Sequence, residues 1–202
     1  MSEKSEAKGG GLLFFCPCEA PSPGDIQVVL RQTRSRKFDL SLVLGIAERC
    51  RFGFPRVTVC SPLRGFAPFP TTFWLTCPWL TRHIGAVEAE GGVGKLERWI
   101  ETYAPREWVS FNAEHRRLRL ALLPEAEKDF LRRCQSRTFE GLHGGVGGIR
   151  YAKDGVRVKC VHLQAASWLA LGRHPGQTWL EAHSAGQTCR SAMCGAERTT
   201  DS

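Results

Sequence analysis

Pro68-Phe69-Pro70-Thr71-Thr72-Phe73-Trp74-Leu75-Thr76-Cys77-Pro78 is the stretch on which the reading of this chain turns. It is dense in aromatic and β-branched residues, and prolines stand on both sides. Such a run predicts a buried strand over residues 72–76. Proline cannot donate to a strand ladder, so Pro68 and Pro70 place the start of this strand near an edge or a bend. Cys77 is then a thiol delivered to a defined place.

Working back from this strand, Arg56-Val57-Thr58-Val59-Cys60 alternates and is β-branched, which predicts a second strand. Leu42 to Ala47 predicts a third, with Phe52-Gly53-Phe54-Pro55 as the turn between those two. Ile26 to Leu30, followed by the basic run Arg31 to Lys37, reads as a short helix or an edge strand. Working forward, the period becomes helical. Leu80, Ile84 and Val87 share a face, and Gly91 can close that helix. Val93 to Tyr103 forms another helix. Trp108, Phe111, His115, Leu118 and Leu122 make a seam at helical spacing that ends at Pro124. Glu125 to Arg133, Cys160 to Leu171 and a last turn over Thr178 to His183 complete the set. The glycines between Gly141 and Gly155 match no phosphate-loop spacing and read as a hinge or mobile loop.

The expected fold is therefore α+β: a small antiparallel N-terminal sheet followed by a helical majority packed on it. Residues 1–24 read as a poorly ordered tail, 25–185 as a single globular domain, and 186–202 as a polar C-terminal tail. With 202 residues, the chain is long enough to bury a core without disulfide staples. No apolar run approaches the length of a membrane span. Met1 to Gly11 is polar, and Leu12-Leu13-Phe14-Phe15 is too short for the apolar core of a signal peptide. These features point to a cytoplasmic protein.

The net charge is +8, with 28 Lys and Arg against 20 Asp and Glu. Arginine supplies most of it, and Arg116-Arg117-Leu118-Arg119 is the densest cluster. A basic balance admits nucleic acid or another polyanion as a partner, but no nucleic-acid motif accompanies it. Nine cysteines are present, an odd number. In a reducing compartment such thiols pack as small hydrophobes, bind metal or do redox work.

Cys77, Cys160, His162 and Cys50 are the candidate metal ligands, with zinc as the candidate cofactor. Zinc takes four N and S donors, and these residues supply four. Cys160 and His162 lie roughly 200° apart around a regular helix, so they converge only if Cys160 stands outside the regular turns. Packing of Cys50, Cys60, Cys77 and Cys134 in the core is the competing explanation. His115 and Cys77 are the candidate catalytic residues, as general base or as members of a Cys–His pair. For His115 the structural alternative is a core histidine hydrogen-bonded to backbone or a carboxylate. His174, in Arg173-His174-Pro175-Gly176, reads as a helix-stop residue favoured in its protonated form by the helix dipole. Trp79 and Trp179 are candidate exposed rings for a protein partner.

The phrase Pro68 to Pro78 also resembles the signature of a bacterial family catalogued as domain of unknown function 501. Arg49-Cys50-Arg51-Phe52-Gly53-Phe54-Pro55, Val87-Glu88-Ala89-Glu90-Gly91 and Val158-Lys159-Cys160-Val161-His162 resemble further motifs of that family, in the same order. The resemblance covers roughly residues 25–183. It implies a cytoplasmic housekeeping setting, since genes of the family lie near those of a septum-formation coiled-coil protein and an exopolyphosphatase-like enzyme. Members often carry further histidines where this chain has Gln164 and Ala166. Three functions are consistent with these readings. The first is a domain with a structural Cys/His cluster of zinc type. The second is an enzyme with a Cys–His pocket for a phosphorylated or nucleotide substrate. The third is a basic interaction module for nucleic acid or a cell-division protein.

Overall fold

The computed structural model describes residues 18–34, 38–153 and 155–185, together with 189, 192 and 194. The first helix, α1 (Pro23–Thr33), starts inside the expected tail. Ser22 and Asp25 cap it reciprocally, each side chain taking the other's backbone N–H, with proline at the first turn. The helical alternative for Ile26 to Leu30 is therefore the correct one. Residues 1–17 of the expected tail, with Cys16, and most of 186–202 lie outside the described residues.

Three strands form the main sheet in the order β1-β2-β5: β1 (Val43–Arg49), β2 (Pro55–Cys60) and β5 (Phe73–Leu75). Both pairings are antiparallel, and Val57 faces Leu75 across the second. β5 is an edge strand of this sheet, and Pro68 and Pro70 precede it in the chain. Between β2 and β5 lies a hairpin that the sequence did not announce, β3 (Leu63–Arg64) and β4 (Ala67–Pro68). Two-residue strands are too short to show a period.

Eight helices are described. After α1 come α2 (Pro78–Ala89), α3 (Gly92–Tyr103), α4 (Pro105–Ala121) and α5 (Glu125–Cys134). Then follow α6 (Ser136–Gly141), α7 (Val161–Leu171) and α8 (Gln177–Leu180). The fold is α+β, with the small sheet first and the helices after it. Val57, Val59, Phe73 and Leu75 of the sheet share one core with Leu80 and Ile84 of α2, Leu96 and Ile100 of α3, Trp108 and Phe111 of α4, and Ala165 and Ala166 of α7. A smaller cluster of Leu63, Leu123, Leu131 and Leu142 seats the β3–β4 hairpin and α5 beside it.

The glycine-rich segment is pinned where a hinge was expected. Asn112 of α4 is fully buried, donates to the Trp108 carbonyl and accepts from the Val146 N–H at 2.9 Å. A Cβ on Gly145 would lie 2.2 Å from Asn112 Oδ1, so only glycine fits there. Arg119 is buried at 1 % exposure and donates to the carbonyls of Gly144, Gly145 and Pro70. One guanidinium thus joins the glycine segment to the chain entering β5.

Candidate metal centre and thiol pocket

Cys77 stands just before the first turn of α2, followed by Pro78. Glu88 lies in the last turn of the same helix, where a carboxylate faces the unfavourable end of the helix dipole. It is placed there by what it meets. The backbone N–H groups of Val161 and His162, at the start of α7, donate to Glu88 Oε1 at 2.5 and 3.2 Å. The carboxylate therefore caps α7, whose N-terminal dipole favours negative charge.

Cys160 is the residue before the first turn of α7, with an extended backbone, and its Sγ accepts from the Leu163 N–H at 3.4 Å. That position outside the regular helix lets it converge with His162. His162 Nδ1 lies 3.1 Å from Glu88 Oε1, and Nε2 lies 3.0 Å from the Thr81 carbonyl. A carbonyl only accepts, so Nε2 carries a proton. Donor atoms of Glu88, Cys160 and His162 all lie within 4.8 Å of one another, and each residue is half-buried. Burial pushes the Cys160 thiol up, and Glu88 acts in the same sense against the pull of the Leu163 N–H.

The expected ligands fall into two places. Cys160 and His162 meet Glu88 at the start of α7. Cys50 and Cys77 line a pocket of about 320 Å³ with Cys189, Arg56, Trp79 and Trp168. Eleven positions along α2 separate Cys77 from Glu88, a rise of roughly 16 Å. Burial raises the pKa of Cys77. Cys60 is fully buried with its thiol pushed up to about 12, as expected of core packing, whereas Cys134 is exposed.

His115 lies on the inner face of α4 at 1 % exposure, against the ring edges of Phe73 and Phe111. Among the described residues neither ring nitrogen has a hydrogen-bond partner. Burial first, then Arg119, His174 and Arg173, holds its pKa well below the usual value. His174 corrects a sequence expectation. It is buried, and burial lowers its pKa to about 3, so it is neutral rather than a protonated helix stop. Its Nδ1 accepts from the Gly176 N–H, and its Nε2–H donates to Gln164 Oε1 at 2.9 Å. Gln164 in turn donates to the Val158 carbonyl, so this buried amide has a structural task. Trp79 is half-buried and stacks on His83, while Trp179 is buried and stacks on His183, so only the first presents part of its ring to solvent.

Sequence reasoning missed Glu88. The signal was an acid in the last turn of a helix, where a base is the favoured choice. It also missed that two motifs far apart in the chain, one holding Glu88 and the other Cys160 and His162, meet at one carboxylate.

An α+β domain with a Glu/Cys/His donor cluster is thus the class that fold and site define. The family described as "Protein of unknown function (DUF501)" matches residues 46–182, more than half of the chain, and the chain belongs to that family. A search of the curated proteins finds no match, and a search of the solved structures finds none. Among the described residues no helix is long and apolar enough to cross a membrane.

Proposed function

We propose that the domain holds a divalent metal of zinc type on Glu88, Cys160 and His162, as a structural centre that ties the end of α2 to the start of α7. The observation that carries this reading is the mutual approach of the three donor atoms within 4.8 Å. The hydrogen bond from His162 Nε2 to the Thr81 carbonyl adds to it, because metal-binding histidines commonly donate their second ring N–H in this way. That bond leaves Nδ1 aimed at the cluster. A cation there would replace the proton of the Cys160 thiol, so occupancy rises with pH. The donor set keeps Cys160 and His162 of the sequence-derived ligands and adds Glu88. Cys77 and Cys50 belong to the separate pocket.

Three protein donors leave one tetrahedral position for water or a substrate, which is the arrangement of catalytic zinc. This favours the enzyme reading second, with the metal centre in place of a Cys–His pair.

Metal analysis of protein purified without a histidine tag tests the proposal. About one zinc per chain is expected, the count implied by a single three-donor cluster. Cys160→Ser and His162→Ala should lose most of it, Glu88→Gln part of it, and Cys77→Ser and Cys50→Ser none. Absence of zinc and iron from the untagged protein removes the centre.

A further inference from the structure

The glycine-rich segment has a face that the metal centre does not use. Glu97, Gly147, Gly148, Arg150, Arg157 and Lys159 surround a cleft of about 270 Å³. Among the described residues, its lining includes the cationic side chains of Arg157 and Lys159 and the carboxylate of Glu97. That carboxylate already accepts from the Val158 N–H at 2.9 Å.

Two backbone features build the cleft. Lys159 adopts φ of 63°, a left-handed conformation that a non-glycine residue rarely takes. The bend carries its ammonium to the glycine segment, where Nζ donates to the Gly147 carbonyl at 2.8 Å. Two of its three N–H donors remain. Gly147 also has a left-handed φ, and a Cβ there would sit 2.6 Å from a methyl of Leu163. Glycine thus lets the cleft floor lie directly on α7.

We propose that this cleft binds the phosphate group of a small phosphorylated ligand. Arginine offers a planar fork that matches phosphate oxygens two at a time, and lysine adds a point charge. The volume lies under the roughly 300–1,000 Å³ usual for drug-sized ligands, which selects a small group. The inference does not rest on the metal centre, since none of the three metal donors lines the cleft.

The test is a titration of the ¹⁵N-labelled full chain with inorganic phosphate, read at the Gly147 and Gly148 amides. Sodium chloride at matched ionic strength is the control. Saturable shifts with phosphate and none with chloride are expected. Arg157→Glu should weaken the response by about tenfold or more, as loss of a charge-assisted contact does. Arg116→Glu, the same charge change on the exposed side of α4, should leave it unchanged. The proposal is overturned if phosphate acts no differently from chloride, or if both variants respond alike. Shifts produced by a DNA duplex but not by phosphate would equally overturn it.

Discussion

Asp25 accepts from Arg49 at 2.7 and 3.0 Å while its second task, the cap of α1, is shared with Ser22. The Arg49 guanidinium holds this carboxyl well below the usual range, helped by Ser22 and opposed by burial. A carboxylate with a lowered folded pKa stabilises the fold above its unfolded pKa, and that stability fades as pH falls through the lowered value. Asp25→Asn should therefore cost about 1–2 kcal/mol at pH 7, the worth of a cap and a charge-assisted bond. The difference from the parent chain should shrink below about pH 4, where Asp25 of the unfolded parent chain starts to take up a proton while the folded one stays ionised. Chemical denaturation of both proteins at pH 7 and pH 3 checks this. An unchanged difference at the lower pH would show that charge plays no part.

At the level of elements, Arg119 does for the glycine segment what a disulfide would do elsewhere. Its three carbonyl partners come from two segments that no strand pairing connects. Burial lowers its pKa to about 10, so it is charged throughout the physiological range. Arg119→Met keeps the apolar stem and leaves three carbonyls without a donor. A loss of about 3 kcal/mol or more is expected, since hydrogen bonds to a charged group contribute about 1.5–3 kcal/mol each. Arg116→Met, exposed on the same helix, should change stability by less than about 0.5 kcal/mol. Urea midpoints of the two variants measure the contrast.

Across the whole molecule, acid sensitivity follows from two histidines buried in one core. His115 and His174 both have lowered folded pKa values, with burial as the leading cause in each. The charged side chains near His115 are Arg119 and Arg173, which act in the same direction. A base with a lowered pKa must stay neutral in the fold but takes up a proton on unfolding. Stability is therefore full above about pH 6.5 and falls as pH drops towards 5, by up to about 1.4 kcal/mol per pH unit for each group. His115→Leu removes no hydrogen bond seen among the described residues, where neither ring nitrogen has one. That variant should match the parent within about 1 kcal/mol at pH 7.5. It should also lose roughly half of the acid slope between pH 6.5 and 5, two groups having become one. A full slope in the variant would place the titration elsewhere.

Local pattern determined the strands around Val57 and Phe73, the seam of α4 and the extent of α3, because buried faces repeat at the period of their own element. Family membership was legible for a similar reason: short motifs survive as contiguous words. Tertiary structure alone decided the sites. The convergence of Glu88 with Cys160 and His162 depends on how α2 and α7 lie together, and no spacing along the chain encodes a distance between helices. The same holds for the separation of Cys77 from Cys160, for the neutral state of His174 and for the three carbonyls on Arg119. Hydrogen bonding and burial belong to the packed interior, and the polypeptide acquires them only when distant segments close around one another.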